Sequence, residues 1–322
     1  MPIDPRRNEF RILALSGGGY LGLYTAVVLA QLEQQFGEPL GRRFDLIAGT
    51  SVGGLLAMAL AFEVPMANIV ALFHDHGEEV FSARRLPAGT VTRLIDLTRS
   101  VMGPKYTGAA LRAELRKAFG ERTLGQAAHA VVIPAVDVTR SVTKVFKTPH
   151  VDASHGDEDC KVVDITMATC AAPAYFPSVP IGGRLYADGG LFAVAPDLVA
   201  MHEAEHFMGV RSERVRMVSI GTATEHYQPS EQVDADAGAV GWLTDGRLIL
   251  TLISVQQQHV QAIMEDRLGP RYLRLDARWP PEAGLGIDVA TPAATATLER
   301  LALETMASLQ PKALQAFFDA RP

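Results

Sequence analysis

The sequence predicts an α/β protein built on a mostly parallel sheet. Three observations carry this. Short apolar runs that read as strands end in glycine-rich turns, and each turn opens a segment with helical spacing. The joints between strand and helix are short. Strand, helix, strand, helix in close succession requires right-handed crossovers and hence parallel pairing.

The elements follow in order. Arg11–Ser16 is an apolar run that stops at three glycines and reads as a buried strand. From Leu21 to Phe36 apolar residues recur at helical spacing until Gly37. Phe44–Ala48 is a second strand, and Leu55–Phe62 is apolar all round, as in a helix buried within a core. Val64–Gly108 reads as a helical excursion, broken by Pro87, Gly89, Gly103 and Pro104, with a loop placed to lie over a site. Leu111, Leu115 and Phe119 mark a helix ending at Gly120. Strands are expected at Ala130–Val136, Thr143–Phe146, Arg184–Ala187, Val215–Ile220 and Tyr272–Leu275. Helices are expected at Ile165–Ala172, Leu248–Met264 and from Thr291, an N-cap before Pro292, to Leu309. His150–Asp159 reads as a polar surface loop. Without repeats or a linker, residues 1–322 are expected to form one domain, with its motif-bearing core at about 11–221 and a helical completion with a lid over 222–322.

Composition narrows the function. With 48% hydrophobic and 20% charged residues the chain buries a large core. A net charge of −6 argues against DNA or RNA as a partner. Two cysteines, Cys160 and Cys170, make neither a disulfide framework nor a cysteine-rich metal site. The first residues lack the apolar core of a signal peptide, and no apolar run reaches the ~18 residues that span a bilayer. A cytoplasmic protein is expected, with only peripheral membrane contact.

Three motifs compete for the chemistry. Gly49-Thr50-Ser51-Val52-Gly53 is a Gly-x-Ser-x-Gly between a strand and a helix, the layout of a nucleophile elbow. A sharp turn there strains the serine and exposes its oxygen. Glycines two positions to either side avoid backbone collisions, and a helix N-terminus favours developing negative charge. Ser16-Gly17-Gly18-Gly19-Tyr20-Leu21-Gly22 contains a formal Gly-x-Gly-x-x-Gly, so a dinucleotide site is one reading. That reading wants an acid at the end of the second strand, but the nearest, Asp45, lies at its start. The other reading is an oxyanion hole, with the N–H groups of Gly17, Gly18 and Gly19 aimed at one point beside Ser51. His202-Glu203-Ala204-Glu205-His206 has the spacing of a zinc-protease helix. It lacks an evident third ligand and fits better as a solvated, charged helix face.

No histidine is placed as an α/β-hydrolase base would be. Asp188, ending a strand and followed by Gly189 and Gly190, can reach Ser51, and partial burial would raise its basicity. A Ser51–Asp188 dyad is the preferred reading. A zinc hydrolase on His202 and His206, and a non-catalytic nucleotide-binding module on Gly17–Gly22, stand as alternatives.

Gly-Gly-Gly-x-x-Gly, Gly-x-Ser-x-Gly and Asp-Gly-Gly in this order resemble the patatin-like phospholipase family, from about Arg11 to Gly221, with Ala172–Pro177 also similar. The resemblance implies a three-layer α/β/α fold and lipid acyl hydrolysis by a Ser-Asp dyad with no cofactor or metal. It makes Ser51 the nucleophile, Asp188 the base, Gly17, Gly18 and Gly19 the oxyanion hole, and Gly49 and Gly53 the elbow glycines. Leu21 departs from the family's usual Arg or Lys, so direct phosphate contact there is not expected. Gly22–Ala26 and the strand Arg271–Leu275 further resemble the bacterial patatin-like effectors of CBASS anti-phage systems. This implies a cyclic di- or oligonucleotide activator, a membrane phospholipid substrate met at the inner membrane, and a homo-oligomer. An ungated lipid esterase is the alternative.

Overall fold

The computed structural model describes residues 9–81, 103–151, 156–228, 242, 247–280 and 282–318. Among the described residues, eight strands form one sheet: β1 (Phe10–Leu15), β2 (Leu46–Gly49), β3 (Val131–Asp137), β4 (Val142–Lys147), β5 (Val179–Ile181), β6 (Arg184–Asp188), β7 (Val215–Ile220) and β8 (Tyr272–Leu275). Their order is β5-β6-β3-β2-β1-β7-β8, with β4 also on β3. The β3–β2–β1–β7–β8 stretch is parallel, as the short joints predict.

The other pairings are antiparallel and depart from that expectation. β4 occupies one edge of β3 from Val132 to Asp137. β2 and β6 therefore divide the opposite edge, β2 at Val131–Val132 and β6 at Ala135–Asp137. β2 runs up that edge and β6 runs down it, so their carboxyl ends meet head to head. Pro134, which has no N–H to leave unpaired, lies in the gap between them.

Side chains alternate between two apolar layers, the period-2 signature of a sheet covered on both faces. Leu13, Leu15, Ile47, Val131, Ile133, Val218 and Ile220 face the larger core. Its helices are α1 (Gly22–Phe36), α2 (Val52–Ala61), α3 (Met66–Val80), α4 (Ala109–Phe119), α5 (Val162–Thr169), α8 (Pro292–Ser308) and α9 (Pro311–Phe318). Phe10, Ile12, Ala14, Leu46, Ala48, Val132, Val215 and Met217 face the smaller one. That side is covered by α6 (Asp197–His202), its π-helical continuation Glu203–Phe207 and the end of α7 (Arg247–Leu268). The three-layer α/β/α arrangement is thus the observed fold.

All ten residues of α2 are buried, which is why the sequence there has no polar face. Thr291 Oγ1 accepts the Ala294 N–H and starts α8 as its Thr-Pro pair predicts. Sequence reasoning missed β5 and α9. β5 is joined to β6 by Gly182-Gly183, both with positive φ, a two-residue hairpin turn. His150, expected on a surface loop, is instead buried, with its ring between Thr148 and Glu203. The expected lid segments lie partly outside the described residues, at 82–102 and 229–241. Among the described residues, no helix is long and apolar enough to cross a membrane.

Candidate active site

Ser51 occupies the turn between β2 and α2 with φ 56° and ψ −128°, a conformation that costs about 1–3 kcal/mol for a residue with a Cβ. The surrounding contacts over-determine it. A Cβ on Gly49 would strike the carbonyl of Gly53, and one on Gly53 would strike the carbonyl of Leu15. Ser51 N–H donates to Thr169 Oγ1 at 3.0 Å, and that hydroxyl donates to Pro134 O at 2.6 Å. Thr169, at the end of α5, thereby ties the elbow to the gap in the β3 edge. No pattern in the sequence marks it.

Asp188 arrives from the opposite direction. Val132 pairs with Ala48 and Ala135 with Asp188, which sets Asp188 level with the residue three beyond Ala48, namely Ser51. Ser51 Oγ donates to Asp188 Oδ2 at 2.7 Å. Gly190 N–H donates to Asp188 Oδ1 at 2.7 Å. Asp188 is 5% exposed and, among the described residues, has no cation beside it. Burial pushes its carboxyl up to about 7, against the opposing pull of the Gly190 and Ser51 hydrogen bonds. A carboxylate of that basicity, in contact with a strained hydroxyl, can accept the hydroxyl proton near neutral pH.

The glycine loop follows β1 and faces the same point. Gly17 is close-packed on the elbow, and a Cβ there would lie 3.1 Å from Ser51 Cβ. Its N–H is already given to Val194 O at 2.9 Å, which corrects the expectation that all three glycines aim donors at a substrate. Gly18 and Gly19 remain for that task. Gly19 has φ 59°, and a Cβ on it would strike the carbonyl of Ile287, so glycine is required there. Leu21 is fully buried and does not line the site.

These groups lie at the base of a cleft that opens to solvent. Its walls are almost wholly apolar, including Leu55, Phe73, Val80, Phe176 and Ile253. Cys170 also lines it; burial and then the neighbouring Asp188 push its thiol far up, so it stays neutral. Among the described residues no histidine lines the cleft. The arrangement suits a neutral, extended acyl chain with its carbonyl at Ser51.

The rival motifs resolve differently. Asp45 Oδ2 accepts the Arg11 N–H at the amino ends of β1 and β2, the far side of the sheet from the glycine loop. It cannot hold a ribose at Gly17–Gly22. His202 and His206 are exposed and stacked on each other, ring centroids 5.0 Å apart. Glu203 between them turns inward, 2% exposed, and meets Lys147 Nζ at 2.5 Å and His150 Nε2 at 3.1 Å. The expectation of a wholly solvated charged face fails at this residue. Among the described residues, no three His, Cys, Asp or Glu side chains are grouped to hold a metal ion.

The patatin-like phospholipase family matches residues 13–201, more than half of the chain. A "cGAMP-activated phospholipase" of Pseudomonas aeruginosa is 39% identical over 85% of this chain and 80% of its own length. A protein of the same description from Vibrio cholerae is 32% identical over 99% of this chain and 98% of its own. Patatin-like protein 1 of Arabidopsis thaliana is 31% identical over 73% and 64% respectively. With strand-to-helix serine, opposing aspartate and glycine loop gathered at one cleft, the chain belongs to the patatin-like phospholipase family of ester hydrolases.

Proposed function

We propose that this chain is a serine phospholipase that cleaves membrane phospholipid esters at Ser51 and is switched on by a cyclic di- or oligonucleotide. The observation that carries the chemistry is the 2.7 Å contact between Ser51 Oγ and Asp188 Oδ2 at the base of an apolar cleft. The ester carbonyl enters beside Ser51, with its oxygen toward the N–H groups of Gly18 and Gly19. Ser51 Oγ attacks the carbonyl carbon as its proton passes to Asp188. The tetrahedral oxyanion is stabilised by the glycine loop and by the N-terminus of α2. Collapse breaks the ester C–O bond, and Asp188 returns the proton to the departing lysolipid oxygen. Water then gives a proton to Asp188 and attacks the acyl-enzyme. The fatty acid leaves and Ser51 regains its proton.

Gating is supported by the two bacterial relatives described as cGAMP-activated, one of them matched over nearly its whole length. Work at the cytoplasmic face of the inner membrane follows from the same reading. Fatty-acid release from phospholipid vesicles, with and without a panel of cyclic di- and trinucleotides including cGAMP, tests both parts. Release is expected with one nucleotide only, and Ser51→Ala lowers it at least about 10³-fold. Release without any nucleotide removes the gating and keeps the enzyme. Release that survives Ser51→Ala removes the nucleophile.

A further inference from the structure

The glycine loop is held from behind by a buried charged network that the reaction does not touch. Its centre is Arg274 on β8. Ser219 on β7 pairs with both Arg274 and Ala14, and Ser16 lies two residues beyond Ala14, so the three side chains share one face of the sheet. Arg274 Nη1 donates to Ser219 Oγ at 2.8 Å and to Ser16 Oγ at 3.2 Å. Its Nη2 donates to Asp276 Oδ2 at 2.7 Å and to Gln257 Oε1, on α7, at 2.5 Å. The Arg274 and Asp276 side chains are each only 7% exposed.

Two routes run from this guanidinium to the loop. One is direct, through Ser16, the residue before Gly17. The other passes through Asp276, whose Oδ1 accepts the Ala223 N–H at 2.9 Å and so fixes the turn after β7. Thr222 in that turn donates to Gly17 O at 3.4 Å, and its hydroxyl would lie 2.6 Å from a Cβ on Gly18. The turn is therefore the floor on which Gly18 rests.

A buried ion pair is a poor way to gain stability, because desolvation offsets its attraction. What a guanidinium supplies is a rigid fork of donors that fixes the groups it binds. Oxyanion donors act only if they stand 2.7–3.1 Å from the developing charge, and slack of 1 Å costs rate with little effect on ground-state binding. We infer that Arg274 is a positioning residue for the oxyanion hole, acting through Ser16 and through the Asp276–Thr222 turn. This rests on the reading of Gly18 and Gly19 as oxyanion donors.

The test is kinetic. Ser16→Ala removes one contact and leaves the Arg274–Asp276 pair intact, so it folds even if Arg274 variants do not. With the activating cyclic nucleotide of the vesicle assay present, it is expected to lower kcat on phospholipid vesicles, and the rate of Ser51 labelling by a fluorophosphonate, roughly tenfold with KM unchanged. Arg274→Lys, which keeps the charge and loses the fork, is expected to lower both by roughly 10²-fold with the pH profile unmoved. The double variant should be no slower than Arg274→Lys alone, because both act on one contact chain. Wild-type kcat and labelling in Ser16→Ala, or losses that multiply in the double variant, overturn the proposal. A wild-type protein that is not labelled at Ser51, with or without any nucleotide of that panel, instead removes the reading beneath it.

Discussion

Asp188 at the end of β6 and Glu203 in the π-helical turn after α6 are two carboxylates, both nearly inaccessible to solvent. Their acidities move in opposite directions. Among the described residues Asp188 is bonded by a hydroxyl and a backbone N–H and by no cation, so burial dominates and lifts it to about 7. Burial pushes Glu203 up as well, but the hydrogen bonds of His150 and Lys147 outweigh it and hold the carboxyl below its usual value. Burial alone therefore does not make an acid–base catalyst. A buried carboxylate left without a cation is poised to exchange a proton, and one given a cation is a structural anchor. The same difference bears on His202–His206, the more conspicuous motif. Its central glutamate is committed to packing the π-helical turn against β4.

The comparison can be broken most decisively by neutralising each member. Asp188→Asn should lower kcat by about 10³–10⁴-fold in fatty-acid release, whereas Glu203→Gln should stay within about threefold of the parent. Equal losses would erase the distinction. The pH dependence should divide the two in the same way. Activity should climb about tenfold per pH unit below 7 and level off above it, because only ionised Asp188 accepts the serine proton.

Stability sharpens the contrast at smaller amplitude. Asp188 has a folded value above its unfolded 3.8, so its contribution is complete below pH 3.8 and is lost as pH rises through about 7. Asp188→Asn should therefore exceed the parent in stability at pH 8 by about 1–3 kcal/mol in urea unfolding, and lose that margin at pH 4. Glu203 is shifted downward, so its contribution is present above pH 4.5 and fades as pH falls through its lowered value. Glu203→Gln should cost about 2–4 kcal/mol at pH 7. The smallest expected effect is electrostatic. Leu191→Lys sets a cation on the cleft rim near Asp188 and should move the activity limb down by about half a pH unit.

Much of this site was legible in the sequence, for local reasons. The elbow glycines, the loop after β1 and Asp188 are each dictated by steric needs within a few residues, and such needs leave a pattern. The supports are non-local and leave none. Thr169 is one threonine in an apolar helix until α5 is laid against the gap at Pro134. Arg274 is one cation in a short strand until β1 and β7 align Ser16 and Ser219 beside it. The reversed direction of β6 did leave a trace, the Gly182-Gly183 turn, which forces β5 and β6 into a hairpin. The fate of Gly17 N–H depends on Val194, more than 170 residues away, and no motif reports it.

The head-to-head meeting of β2 and β6 has a consequence during synthesis. Ser51 and Asp188 are separated by 137 residues of chain. At about 5–20 residues per second, the ribosome makes the serine some 7–27 seconds before the aspartate. Throughout that interval the nascent chain carries the proposed nucleophile without its proposed base. In the proposed dyad, splitting the pair across two converging strands makes ester hydrolysis a property of the assembled sheet, absent until β6 is laid against β3.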